Sequence, residues 1–127
     1  MFSHVMLGAK DIQESKKFYD AILGVVGCKP GVIDEKGRCF YVTKTGVFGI
    51  SIPIDGKPVS HANGGTIGFA TDSPEQTDAW HAAGLANGGV AIEDPPGIRE
   101  GGNFGDLYLA YLRDPAGNKV CALHRVR

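Results

Sequence analysis

The chain has 127 residues, of which 43% are hydrophobic and 21% charged, the composition of an ordinary globular domain and not of a disordered or fibrous one. A net charge of −1, with Lys and Arg scattered along the chain, excludes the basic footprint of a nucleic-acid or anionic-membrane partner. Cys28, Cys39 and Cys121 are odd in number and lack Cys-x-x-Cys spacing, which predicts reduced thiols in a cytoplasmic protein and no disulfide frame or zinc knuckle.

The N-terminal Met1-Phe2-Ser3-His4-Val5 has no basic region and no long apolar run, so nothing in it predicts membrane targeting. Residues 3–9 suit a strand. Asp11 then stands as a helix N-cap with Glu14 three residues on, a capping-box arrangement. Ser15, Phe18, Tyr19, Ile22, Leu23 and Val26 follow at helical spacing, so the segment to about Leu23 reads as an amphipathic helix that Gly24 and Gly27 end. Residues 29–34, 38–43 and 47–54 read as three strands separated by Lys36-Gly37 and Thr45-Gly46. Residues 56–64 read as a linker.

The pattern then repeats. Residues 66–71 suit a strand, Ser73 an N-cap, Pro74 the first helical residue, and Gln76 the partner of a second capping box. Trp80, Ala83 and Leu85 mark the expected buried side of this helix, which Asn87-Gly88-Gly89 ends. Residues 90–93 suit a strand broken by Asp94-Pro95-Pro96-Gly97, and 98–105 a polar, glycine-rich loop resembling a flap over a pocket. A β-hairpin closes the chain, its turn set by Asp114-Pro115-Ala116-Gly117-Asn118.

Shifting the chain by 62 positions aligns Asp11 with Ser73, Glu14 with Gln76, Phe18 with Trp80 and Val5 with Ile67, so core positions and helix caps correspond together. The expected fold is α+β: two β-α-β-β-β modules, about 1–55 and 65–127, forming an eight-stranded cup with the helices outside. Strand parity puts Val5, Leu7, Ile67 and Phe69 under the helices and His4, Met6, Thr66 and Gly68 toward the cup. In the last strand, parity alone allows either Cys121 and Leu123, or Val120, Ala122 and His124, to be the inner set.

Three motifs carry a resemblance over essentially the whole chain: His4-Val5-Met6-Leu7, Asp11-Ile12 with Phe18-Tyr19 and Leu23-Gly24, and Leu112-Arg113-Asp114-Pro115-Ala116-Gly117-Asn118. With them the chain resembles the vicinal oxygen chelate superfamily of glyoxalases, bleomycin-resistance proteins and extradiol dioxygenases. The resemblance implies a homodimer and a cup that in metal-dependent members holds one divalent ion. It places Cys121 and Leu123 inward and His124 outward. It also assigns the ligand positions: His4 on the first strand, Thr66 where a second His is usual, and Cys121, seven residues beyond Asp114, where a Glu is usual. The fourth position falls near Ile50 or Ser51.

Mn²⁺, Fe²⁺ or Ni²⁺ chemistry needs about three imidazole or carboxylate ligands with open positions, and one His with one Cys does not supply them. No cofactor is therefore expected, and a divalent metal has only a residual place. Two functions follow. One is a metal-free protein that binds a small molecule. The other is a glyoxalase-like lyase or isomerase, or a dioxygenase, acting on a small metabolite through His4 and Cys121, with a divalent metal or without one. Cys121 could serve as a thiolate if an imidazole lay close, or as a small buried hydrophobe; His4 suits proton transfer or a structural hydrogen bond. Arg38, Tyr41, Thr66 and Tyr108 are the expected ligand-contacting residues of the cup, with stacking and carboxylate-pairing chemistry to offer.

Overall fold

Two capped helices organise the observed chain. The computed structural model describes residues 1–126; Arg127, the last residue of the expected second module, lies outside the described residues. Asp11 accepts the Glu14 backbone N–H at 3.0 Å and starts α1 (Ile12–Val25). Ser73 accepts that of Gln76 at 3.0 Å and starts α2 (Pro74–Ala86). Each cap satisfies a donor that has no partner within its helix. The reciprocal half of the expected capping boxes takes another form. Glu14 reaches back to Lys10 at 4.0 Å, while Gln76 accepts from the Asp72 N–H at 2.7 Å and donates to Val25 O at 3.1 Å. The second helix start is thereby joined to the end of the first helix.

The strands are β1 (His4–Gly8), β2 (Val32–Ile33), β3 (Cys39–Thr43), β4 (Gly46–Ser51), β5 (Ile67–Ala70), β6 (Val90–Ala91), β7 (Gly97–Arg99), β8 (Asp106–Arg113) and β9 (Lys119–Val126). They form two sheets, in the orders β1-β4-β3-β2 and β5-β9-β8-β6, with β7 pairing β8. The two sheets are not closed into one ladder. The expected flap is in part this strand: Ile98 pairs with Tyr108 and Arg99 with Leu107. The Asp94-Pro95-Pro96 segment removes ladder donors, so the edge strand of the second sheet is split in two.

Register fixes which side chains share a face. Val5, Phe48 and Tyr41 stand in one row, as do Ile67, Val120 and Leu112. These rows join Phe18, Tyr19, Ile22 and Trp80 from the helices in a single core that belongs to both modules. The expected inward and outward parity holds: Cys121 lies opposite Tyr111 on the face away from the helices, and His124 lies opposite Tyr108 on the other. One expected core position is corrected. Leu85 is 46% exposed, and α2 buries Thr77 and Gly84 beside the expected Trp80. A Cβ on Gly84 would stand 2.3 Å from Leu112 Cδ1 and 3.2 Å from Ile22 Cγ2, so the absence of a side chain is what lets α2 settle on this core.

Candidate functional site

β1 and β5 are the terminal strands of their sheets, each paired on one side only. Beside them lies a pocket of about 380 Å³, lined by both strands, by the turn between β3 and β4, and by the end of α1. That volume falls in the lower part of the range of small-molecule sites. Val5, Leu23, Phe48 and Phe69 supply apolar surface, and the Phe48 and Phe69 rings meet edge to face at 5.4 Å. Ser3, His4, Thr43 and Thr45 supply polar groups. His4 is exposed, and its Nδ1 lies 2.7 Å from Ser3 Oγ. Nε2 is thus the ring nitrogen without an intrachain hydrogen bond among the described residues.

Tyr41 shares this pocket but does not present its hydroxyl as a free group. It donates to Asp20 Oδ1 at 2.8 Å, and lies 3.3 Å from Lys16 O. Burial, then the adjacent Asp20 carboxylate, push the Tyr41 phenol well above its ordinary range. Burial would raise Asp20, but hydrogen bonds from Lys16, Gly31 and Tyr41 outweigh it and hold the carboxyl below the usual range. Lys16 Nζ lies 2.7 Å from Asp20 Oδ2, so the charge behind Tyr41 is locally paired.

Cys121 lies in a different environment. It is 6% exposed, it pairs in register with Gly68 and Tyr111, and a Cβ on Gly68 would be 3.2 Å from its Sγ. Burial is the dominant influence and pushes its thiol up to about 11. At pH 7 roughly one molecule in ten thousand would carry the thiolate. Cys121 lines neither the pocket that holds His4 nor the smaller cleft of about 100 Å³ beside it.

The other expected contact residues are dispersed. Thr66 lines the smaller cleft with Leu7, His61 and Asn118. Tyr108 is on the helix-facing side of β8, where its hydroxyl donates to Asp78 Oδ1 of α2 at 2.7 Å. Arg38 pairs with Asp34 at 2.6 Å, its guanidinium 5.2 Å from the Phe40 ring centre. Of the six expected residues, only His4 and Tyr41 line one pocket, and Tyr41 does so from the helix-facing row it shares with Val5 and Phe48, not from the expected cup face. The apolar lining from Leu23, Phe48 and Phe69 and the half-buried thiol of Cys28 are additions from the structure. Their residue types are those of any core, and only the spatial gap at the sheet edges distinguishes them.

Two β-α-β-β-β modules around one core, with a ligand-sized pocket lined by the outer strand of each, define the paired-module α+β class. The sequence model of the Glyoxalase/Bleomycin resistance protein/Dioxygenase superfamily matches residues 1–122, and the chain belongs to that superfamily. It is similar to a glyoxalase/bleomycin resistance protein from Albidiferax ferrireducens T118, with 62% identity, TM-score 0.94, and coverage of 98% of this chain and 99% of that one. A family enzyme from Burkholderia phytofirmans PsJN shares the fold at 18% identity and TM-score 0.74, with 98% of each chain covered. A glyoxalase-related enzyme from Fulvimarina pelagi does so at 16% identity and TM-score 0.74, covering 98% of this chain and 88% of that one. No curated protein matches the chain.

The divalent ion that the resemblance to metal-dependent members implies does not find its usual ligand set in the residues at hand. By the resemblance, Thr66, which offers neither imidazole nor carboxylate, and Cys121, in place of a Glu, stand at two of its ligand positions. Among the described residues no three His, Cys, Asp or Glu side chains stand together as a ligand set.

Proposed function

We propose that this chain is a small-molecule-binding protein whose ligand occupies the pocket beside β1 and β5 without a bound metal. The observation that carries the reading is the pocket itself: about 380 Å³, largely apolar, with His4 among its lining residues. The enzymatic alternative needs a thiolate at Cys121 within reach of His4. The raised thiol pKa weighs against it.

The proposal extends to a homodimer in a reducing cytoplasm. Val32, Phe40 and Met6 share a row across the open face of the first sheet, as do Val42 and Val47. Val42 is 76% exposed, an apolar face that a second copy would cover. The free thiols of Cys28, Cys39 and Cys121 support the compartment. No helix among the described residues is long and apolar enough to cross a membrane.

The test is elemental analysis of protein purified without chelators, combined with mass spectrometry of co-purifying compounds. The expected result is substoichiometric metal and an organic molecule released on denaturation. Stoichiometric metal that disappears in His4→Ala would overturn the proposal.

A further inference from the structure

We infer that the ligand of this pocket is an uncharged, flat aromatic molecule with one or two hydrogen-bonding groups, of phenol or indole type. The inference rests on the binding function proposed above and adds the chemical class of the ligand. Its basis is the kind of polarity the lining carries. Among the described residues no Asp, Glu, Lys or Arg lines the pocket.

The titratable lining groups besides His4 are Tyr41 and Cys28. Burial raises both pKa values, keeping them neutral at physiological pH. The charges nearest Tyr41, on Lys16 and Asp20, are paired with one another. Lys44 sits in the turn between Thr43 and Thr45 but does not line the pocket. A carboxylate, phosphate or ammonium entering this space would leave its hydration shell without a fixed counter-charge, which is the costliest form of desolvation.

The polar equipment that remains carries no carboxylate, ammonium or guanidinium group among the described residues. It comprises the hydroxyls of Ser3, Thr43 and Thr45 and the ring of His4. To these β1 and β5 add backbone: as terminal strands they retain N–H and C=O groups outside the ladder. Such groups match a hydroxyl, a ring N–H or an amide. The apolar part is rich in aromatic surface, since Phe48, Phe69 and Tyr41 all line it and the Phe48 and Phe69 rings meet edge to face, a lining suited to a further ring. A pocket of about 380 Å³ leaves room for one ring or two fused rings with their substituents.

The experiment compares three probes of one shape, p-cresol, 4-methylbenzoate and 4-methylbenzylamine, by protein-observed NMR titration. p-Cresol should shift resonances of Val5, Leu23 and Phe69 and bind about tenfold or more tightly than either charged analogue. Ala70→Phe, at an exposed lining position, should weaken p-cresol about tenfold, with Thr45→Phe as a second blocking variant should the first disturb folding. Thr43→Lys should close the gap in favour of 4-methylbenzoate by supplying the missing counter-charge. Equal or tighter binding of a charged analogue by the unmodified protein, with the same pocket resonances moving, overturns the ligand class and leaves the binding function standing. If no probe moves those resonances and no organic molecule co-purifies, both readings fall.

Discussion

The hydroxyl of Tyr19 donates a 2.6 Å hydrogen bond to Asp114 Oδ2, joining the first helix to a residue 95 positions further along the chain. Asp114 is also the hub of its own turn. Its Oδ1 accepts the backbone N–H groups of Ala116 and Asn118, each at 2.9 Å, and Oδ2 accepts Asn118 Nδ2 at 2.9 Å. The Asn118 amide also reaches Gly8 O at 2.8 Å. The turn that resembles a signpost to a metal-binding strand is therefore a clasp between modules. Burial first, and then the Asp114 carboxylate, hold the Tyr19 phenol well above its ordinary range.

Tyr19→Phe removes one bond to a buried carboxylate while keeping the ring. We expect a loss of about 1.5–3 kcal/mol in urea unfolding, typical of hydrogen bonds to charged groups. Unchanged stability would mean that the clasp contributes nothing to module docking.

The two modules differ at one buried hydroxyl pair. Thr71 and Thr77 bond each other at 2.6 Å, and Thr77 also donates to Ser73 O at 3.1 Å. In the aligned positions of the first module stand Ala9 and Ser15, and Ser15 Oγ is buried without a partner among the described residues. Ser15→Ala should therefore stabilise the protein by about 1 kcal/mol, through relief of an unmet hydroxyl and better helix propensity. Thr77→Ala should destabilise it by a similar amount. Opposite signs in thermal unfolding are the expected outcome, and a loss for both variants contradicts the account.

Gly84→Ala gains about 1 kcal/mol in helix propensity but inserts a methyl group 2.3 Å from Leu112 Cδ1. Overpacking of this kind costs about 1–3 kcal/mol. Denaturant titration should show a net loss of about 1 kcal/mol, with Leu112→Ala in the same chain recovering part of the strain as a double-mutant coupling.

Cys121 gives stability a pH dependence of defined sign. Its thiol is raised from 9.0 to about 11 in the folded chain, so the native state keeps a proton that the unfolded chain releases. The contribution is complete below pH 9 and falls as the pH rises toward about 11. Cys121→Ala should flatten the decline of stability over that window relative to the parent. The same variant should leave small-molecule binding within about twofold at pH 7, since the thiol stands outside the pocket. A loss of orders of magnitude in any turnover on Cys121→Ser would instead assign the thiol to chemistry.

The fold was legible because its signals are local. Asp11 and Ser73 announce the helix starts, the Asp114 turn announces the last hairpin, and alternation assigns Val5 and Ile67 to the buried face. Legibility ended where a position depends on what lies across from it. Leu85 is a stronger apolar signal than Gly84, yet α2 packs through the glycine because Leu112 and Ile22 already fill that space. Ile98 and Arg99 read as loop residues, and the neighbouring β8 makes them strand. The pocket was the least legible feature. It is a gap bounded by two strands distant in sequence, and no periodicity encodes the angle at which two sheets meet.

That angle has a fixed point. Gly8 is tied to Asn118 at one end of β1, whereas His4, four residues upstream and roughly 13 Å away along an extended strand, lies at the pocket. The two modules are thus fastened twice, at the clasp and again beside the pocket, where Gln76 reaches Val25 O and the Phe48 and Phe69 rings meet. Any widening of the pocket would work against both fastenings, so the bonds that dock the modules also set the stiffness of the site.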